Sequence, residues 1–416
     1  MKFGIFYEHQ LPRPWTDQSE HKLLKDAVEQ VKLADKLGID YVWEVEHHFL
    51  EEYSHSSAPE VFLAACSQVT KNIRLGHGIV QLPFNFNPTA RIAERIATLD
   101  LLSDGRVEFG TGEAGSETEL GGFNIDAADK RRQWIEALDA VTRMMVEEPF
   151  AGYDGEFLKM PPRNVVPKPY QKPHPPMWVA CSRRETIHLA ATKGIGALSF
   201  SFVEPAEAKE WVDDYYATIE SEDCVPGGFR VNPQVACVLP MMVHQNEETA
   251  IERGLDGGHF FGYSLGHYYA FGQHKPGVTN IWDEFQERRA QFGFDRGIAS
   301  QTGQVLGAQM LERGIGSLRG AIGSVEQVRE LVRGYQAAGV DQLIFVSQSG
   351  RNKHEDICES LELFANEIMP EFHDGEEERQ AAKLDRLAPA IEKALARREP
   401  PREAPSDYVV SPLMRT

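Results

Sequence analysis

The segment Glu44-Val45-Glu46-His47-His48-Phe49 closes a short apolar run, Tyr41-Val42-Trp43, and places two imidazoles at the carboxyl end of a predicted β-strand. α/β enzymes gather their chemistry at such strand ends. With an unperturbed pKa of about 6.5, a histidine there can give or take a proton near neutral pH. Adjacent residues on a strand point to opposite faces, so His47 and His48 are a poor pair for one metal ion. None of the 14 histidines falls in a His-x-His or His-Glu-x-x-His spacing, and no metal is expected. A Ser-His-Asp hydrolase is not expected either.

Two further segments bear on ligand binding. Gly110-Thr111-Gly112-Glu113-Ala114-Gly115-Ser116 follows a strand, and its glycines would let backbone approach a flat ligand closely. A dinucleotide site competes for this run. Its context argues otherwise, because it follows the fourth strand and is acidic where a pyrophosphate wants neutral amides. Ser182-Arg183-Arg184-Glu185-Thr186 offers a hydroxyl and two guanidiniums ahead of a helix, a combination suited to a phosphomonoester.

Strand-like and helix-like runs alternate along the chain, as in a parallel sheet with crossover helices. The strands are predicted at Lys2–Tyr7, Tyr41 to the histidines, Ile73–Val80, Arg106–Gly112, Met177–Ser182, Gly196–Phe202, Gln234–Val243 and Asp341–Ser347. Gly38 stops the first helix, Pro59 opens the second, and Asn87-Pro88 caps the third. The pattern predicts an α/β fold, a (β/α)8 TIM barrel over residues 1–371. Between strands 7 and 8 it carries an inserted lid at about 246–320. Ser324 and Gln327 are spaced as a capping box for the helix that leads into the last strand. A helical extension, 372–416, follows as a solvated or subunit-clasping appendage. In such a barrel His47, Gly78, Gln81, Gly112, Glu113 and Ser182 converge on one face although far apart in sequence.

The 416 residues are 42% hydrophobic, enough for one large barrel, and carry a formal charge of -20. That charge argues against nucleic acid or anionic membrane as a partner. Five cysteines without a Cys-x-x-Cys pair suit a reducing cytosol, and no apolar run approaches the roughly 18 residues of a membrane span. A cytoplasmic location is expected.

Met1-Lys2-Phe3-Gly4-Ile5-Phe6, Trp43 to Phe49, Asp104 to Gly110 and Pro167 to Ala180 occur in the order and spacing of the bacterial luciferase-like flavin monooxygenases, which the chain therefore resembles. The resemblance implies a two-component enzyme. Reduced FMN comes from a separate NAD(P)H:flavin reductase, O2 adds at the flavin C4a carbon, and the resulting peroxyflavin oxidises a small organic substrate. His47 matches the family histidine that serves as base or hydrogen-bond partner, and His48 takes a supporting role. Gly78 and Ile79 align with a non-prolyl cis peptide behind the flavin ring. Gln81, Gly112, Glu113, Ser182, Arg183 and Arg184 complete the implied cofactor site. Gly112 and Glu113 stand where luciferase has a reactive cysteine and a phosphate-binding arginine. This speaks against light emission and moves the phosphate toward Ser182–Arg184.

Phe260, Phe261, Tyr263, Tyr268 and Tyr269 would wall an apolar substrate pocket, and the resemblance implies a homodimer through the helices after strands two and three. An F420-dependent dehydrogenase and a non-catalytic flavin-binding barrel stay open as alternatives.

Overall fold

The computed structural model describes residues 1–199, 203–289, 291 and 319–411. Eight parallel strands close a barrel: β1 (Lys2–Tyr7), β2 (Tyr41–Val45), β3 (Arg74–Gln81), β4 (Val107–Gly112), β5 (Met177–Cys181), β6 (Gly196–Ser199), β7 (Val235–His244) and β8 (Gln342–Gln348). Closure is seen in the register, with β1 flanked by β8 (Lys2↔Gln342) and β2 (Gly4↔Tyr41) while β6 meets β7 at Ala197↔Val235. Residues 200–202 of the predicted sixth strand, and most of the second half of the predicted lid, lie outside the described residues.

Large aromatics fill the barrel and glycines make room for them. The Trp43 and Trp178 indoles meet edge to face at 5.3 Å. A Cβ on Gly76 would fall 2.3 Å from Trp43, and one on Gly196 2.4 Å from Trp178. Such overlap is incompatible with close packing, so only glycine fits. Trp178 donates to Glu108 at 2.6 Å and Arg74 pairs with the same carboxylate, whereas the Trp43 indole N–H is buried without a partner.

The excursion between β7 and β8 is more regular than expected. Its glycine- and aromatic-rich run is a helix, Glu247–Gly266, continued by a π-turn, His267–Phe271, and a second helix, Ile281–Arg288. A ninth strand, Ala321–Ser324, pairs with the upper half of β7 (Ala321↔Met241 to Ser324↔His244), while β8 pairs with the lower half. The ten-residue β7 is long enough to serve both. The predicted capping box forms: Ser324 Oγ accepts from Gln327 N at 3.3 Å, and Gln327 Oε1 accepts from Ser324 N at 2.9 Å.

The carboxyl-terminal extension rests on its own barrel along one face, and most of its described residues are exposed. Its helix, Glu376–Arg397, buries Leu387 and Ala394 and runs past the amino-terminal ends of the strands. Glu376 pairs with the Met1 amino group, Lys383 with Asp341 at 2.6 Å, and Gln380 with Gln234 at 3.1 Å. The mouth at the carboxyl ends stays clear of it.

Candidate active site

The loops after β1, β2 and β4 meet at the carboxyl end of the barrel. The β2 loop is pinned at its base, where His47 N donates to Ser56 O at 2.8 Å. This turns the His47 ring toward Glu119, which the short helix Glu117–Gly122 brings in from beyond β4. His47 Nδ1 lies 3.0 Å from Glu119 Oε1, and its Nε2 faces Glu8 Oε2 at 3.6 Å from the loop after β1. The imidazole is thus held between two buried carboxylates.

Glu119 is saturated with donors. Besides His47 it accepts from His48 N at 3.1 Å, Gln81 Nε2 at 2.7 Å and Ser116 Oγ at 2.7 Å. Glu8 has one partner within hydrogen-bond distance, the Tyr53 hydroxyl, which donates to Oε1 at 2.9 Å, and its Oε2 is buried without one. The electrostatics follow from this contrast. Burial opposes charge on the His47 ring, but Glu119 and Glu8 override it and hold the pKa up at about 9. Burial opposes ionisation of Glu119 too, yet His47, Ser116 and Gln81 keep its carboxyl below the usual range. For Glu8 burial wins over His47 and Tyr53, and its pKa rises to about 7. Near neutral pH the site therefore holds an imidazolium, one firm carboxylate and one carboxyl poised to titrate.

His48, which like His47 lies beyond the end of β2, points the other way. Its Nε2 meets Glu46 Oε1 at 3.1 Å, and its ring lies against Phe123 (4.9 Å) and Phe86 (6.1 Å) in a small apolar cluster with Leu120 and Ile125. Glu46 in turn accepts from Gln81 N at 2.8 Å and Asn87 Nδ2 at 2.7 Å. Gln81 touches both carboxylates and joins the two histidines into one network.

The peptide between Gly78 and Ile79 is not cis. Each cis bond among the described residues precedes a proline. A β-bulge stands there instead, since β3 spends one residue more than β4 between the pairs Gly76↔Glu108 and Val80↔Thr111.

Gly110, Gly112 and Gly115 carry the full Gly-x-Gly-x-x-Gly spacing, but the first two serve the barrel. A Cβ on Gly110 would lie 1.9 Å from His77 O, and one on Gly112 would lie 2.4 Å from Ile79. Gly115 makes room at the mouth, where its Cβ would fall 2.6 Å from the Tyr269 ring. Glu113 forms a two-pronged pair with Arg131, at 2.6 and 2.8 Å.

Ser182, Arg183 and Arg184 are exposed at the end of β5, with Arg183 at the head of the helix Arg184–Thr192. Arg184 turns toward Asp214 (3.8 Å) and Glu210 (3.7 Å) on the helix Pro205–Ile219, leaving Ser182 and Arg183 as the freer pair.

The aromatics of the excursion divide by direction. Phe261 and Tyr268 approach Tyr53, at 5.8 and 6.4 Å, whereas Phe260 and Tyr263 pack outward on Phe285. Glu51 and Glu52 fasten this cover: Glu51 accepts from Gly277 N at 2.7 Å, and Glu52 from Ile281 N at 2.6 Å and Trp282 N at 3.2 Å. Gly262-Tyr263-Ser264-Leu265-Gly266 matches the Gly-x-Ser-x-Gly of serine hydrolases. Here, however, Ser264 is buried within a helix and bonded to Phe260 O and Gln10, so no nucleophile elbow exists at that point.

Of the residues the sequence singles out, His47, His48 and Gln81 come together. Glu8, Glu46, Tyr53, Asn87, Ser116 and Glu119 join them from outside the predicted set. A signal for Glu119 was present in Ser116-Glu117-Thr118-Glu119, a capping-box spacing, where the serine does accept from Glu119 N at 3.3 Å.

A buried acid-base cluster at the mouth of a closed (β/α)8 barrel is the arrangement of a TIM-barrel enzyme scaffold. The profile of the Luciferase-like monooxygenase family matches residues 1–342, and the chain belongs to that family. The uncharacterized protein y4vJ from Sinorhizobium fredii (strain NBRC 101917 / NGR234) is 29% identical over 177 residues, 42% of this chain and 49% of that one. The chain thus spans about half the length of y4vJ in that alignment.

The oxygenase component of flavin-dependent trigonelline monooxygenase from Acinetobacter baylyi (strain ATCC 33305 / BD413 / ADP1) is 25% identical over 393 residues, 92% of this chain and 99% of that one. Among solved structures, monooxygenase RslO1 from Streptomyces bottropensis matches with a TM-score of 0.70 and 22% identity, over 89% of this chain and 100% of that one. The oxygenating constituent of 3,6-diketocamphane monooxygenase from Pseudomonas putida, in complex with FMN, matches at TM-score 0.66 and 20% identity, covering 89% and 98%. An F420-dependent secondary alcohol dehydrogenase matches at 0.63 and 16%, covering 88% and 98%. The second of these three structures holds FMN and the third an F420-acetone adduct. Among the described residues no helix is long and apolar enough to cross a membrane.

Proposed function

We propose that the protein is the oxygenase component of a two-component system that takes reduced FMN from an NAD(P)H:flavin reductase and inserts one oxygen atom into a small, apolar organic substrate. The observation that carries this reading is the His47 imidazolium clamped between Glu119 and Glu8 at the barrel mouth.

The residues present fit a flavin. Gln81 Oε1 is a buried acceptor without a hydrogen-bond partner at the end of β3, beside Gly78, Ile79, Gly112 and Glu113. Ser182 and Arg183 stand exposed above a helix amino terminus, where a phosphate is favoured. Bound reduced FMN would supply the activation of O2. His47, charged at neutral pH, is assigned as a hydrogen-bond donor and proton source rather than as a neutral base. Glu119 orients it, and His48 and Glu46 brace the loop. Phe261, Tyr268 and Tyr53 exclude water, and the cluster of Phe86, Phe123, Leu120 and Ile125 suits an apolar substrate.

A homodimer is supported by the exposed Val61, Val69, Leu101 and Leu102 on and just past the helices Pro59–Ser67 and Thr89–Leu102. Five free cysteines support a cytoplasmic setting.

The test is oxygen uptake with FMN, a flavin reductase and NADH across a panel of aldehydes, monoterpenes and substituted aromatics. Substrate-dependent product formation that falls about 10²- to 10⁴-fold in His47→Ala, with flavin binding kept, is the expected result. Oxygen uptake that no substrate couples to product, together with binding of F420 and its reduction by an alcohol, would replace the proposal with the dehydrogenase reading.

A further inference from the structure

We propose that Glu8 is the proton-exchange partner of His47, a positioning residue that sets the charge on the imidazole and takes up or returns the proton on Nε2. This rests on the reading of His47 as the proton source of the site. It starts from an asymmetry among the carboxylates at the barrel mouth.

Glu119 accepts from His47, His48 N, Gln81 and Ser116, so a proton added there would displace a bonded donor. Glu46 is likewise engaged, by Gln81 N, Asn87 and His48. Glu44 on β2 also keeps a buried Oε2 without a partner, but its Oε1 is paired with His9 at 2.9 Å and with Ser56, not with His47. Glu8 alone among these combines a ring nitrogen of His47 within 3.6 Å and a buried oxygen without a hydrogen-bond partner. An unpaired buried carboxylate oxygen is costly, and protonation removes the cost.

The transfer balances without any co-reactant. The Nε2–H bond breaks as an O–H bond forms on Oε2, leaving a neutral imidazole and a neutral carboxylic acid, and the reverse step restores the ion pair. A small rotation of either side chain, or one bridging water, closes the 3.6 Å gap. The groups that face Glu8 are His47 and Glu44 from β2 and its loop, Tyr53 from the same loop, Glu119 from the helix after β4, and Tyr269 from the excursion. Tyr53 donates to Oε1 and fixes the carboxyl so that Oε2 points at the imidazole. The raised pKa of Glu8, about 7, agrees with this role.

The experiment is a pH titration by NMR of the full chain without flavin, labelled with 15N-histidine, in wild type, Glu8→Gln, Glu8→Asp and Tyr53→Phe, with His47→Gln assigning the resonance. In wild type the His47 ring should stay doubly protonated at neutral pH, with an inflection in its shifts near the Glu8 midpoint of about 7 and loss of the ring proton near 9. Glu8→Gln should erase the inflection and lower the imidazolium midpoint by about one unit or more, since a lost neighbouring charge shifts a pKa by about 1 to 3 units. Glu8→Asp should restore it. Tyr53→Phe, which removes a donor to the carboxylate, should move the inflection to higher pH and covers the case in which Glu8→Gln fails to fold. A single His47 transition that neither Glu8→Gln nor Tyr53→Phe moves would overturn the proposal. Because flavin and O2 are absent, this outcome is separate from the oxygen-uptake test, whose failure would leave the titration standing.

Discussion

Glu119→Gln removes one charge from the site and almost no volume. The amide oxygen can still accept from His47 and Gln81, and Ser116 can rotate to accept from the new amide nitrogen, so no cavity opens. What is lost is the charge that holds His47 protonated. A hydrogen bond to a charged group contributes about 1.5 to 3 kcal/mol. At about 1.4 kcal/mol per pKa unit, losing it should lower the imidazolium midpoint by about one to two units from its value of about 9. The sign of the stability effect follows. His47 has a folded-state pKa above its unfolded value, so its contribution is complete below about 6.5 and disappears as pH rises through about 9. The Glu119–His47 coupling should therefore amount to about 2 kcal/mol near neutral pH and fall below about 1 kcal/mol near pH 10. Urea unfolding of wild type, Glu119→Gln, His47→Gln and the double variant at the two pH values measures that coupling as a thermodynamic cycle. Equal coupling at both would refute the reasoning, because it would mean that His47 is bound to Glu119 as a neutral ring.

Gly110→Ala should abolish soluble folded protein, since its Cβ would sit 1.9 Å from the His77 carbonyl and neither strand can yield; a thermal melt near that of wild type would contradict the packing. Arg183→Ala should weaken flavin binding by roughly 10- to 150-fold, as expected for a lost charge-assisted contact, whereas Arg184→Ala, whose guanidinium turns to Asp214, should change it by less than about threefold; fluorescence titration with FMN separates the two. Glu52→Gln should loosen the cover over the mouth, because Glu52 accepts from three backbone amides, Arg13, Ile281 and Trp282; faster limited proteolysis near residues 275–289 with an unchanged barrel melt is the expected pattern.

The barrel was legible because its signal is distributed. Each strand-helix pair repeats the same grammar, and the boundaries in the sequence fall within a residue or two of β1, β4 and β8. His47, His48 and Gln81 were legible for the same reason: they sit at strand ends, and strand ends converge. Glu119 was not, because it lies seven residues beyond β4 on a short helix, and only tertiary packing says that this helix turns inward. The four-residue strand Ala321–Ser324 is too short to show alternation, and its pairing is granted by the length of β7. Gly254, Gly258, Gly262 and Gly266 recur every fourth residue in the excursion, the spacing of one helix face. A Cβ on Gly254 would lie 2.3 Å from Met242. The glycines that suggest a loop thus mark a helix pressed close to the barrel.

Glu8, Glu119 and His47 gathered together look at first like a cost without return, since each isolated charge in a low-dielectric site is expensive. The arrangement avoids most of that cost by counting protons. Glu119 carries one negative charge and spreads it over several donors, His47 cancels it with one positive charge, and Glu8 near its midpoint adds at most one more negative charge. His47, Glu119 and Glu8 together thus carry at most one net negative charge in a chain whose formal charge is -20. Replacing Glu8 by glutamine would take away a carboxyl whose pKa lies near neutral and leave His47 to titrate against Glu119. The saturated carboxylate and the unsaturated one therefore do different work: Glu119 holds the imidazolium in place, and Glu8 is what lets its proton leave.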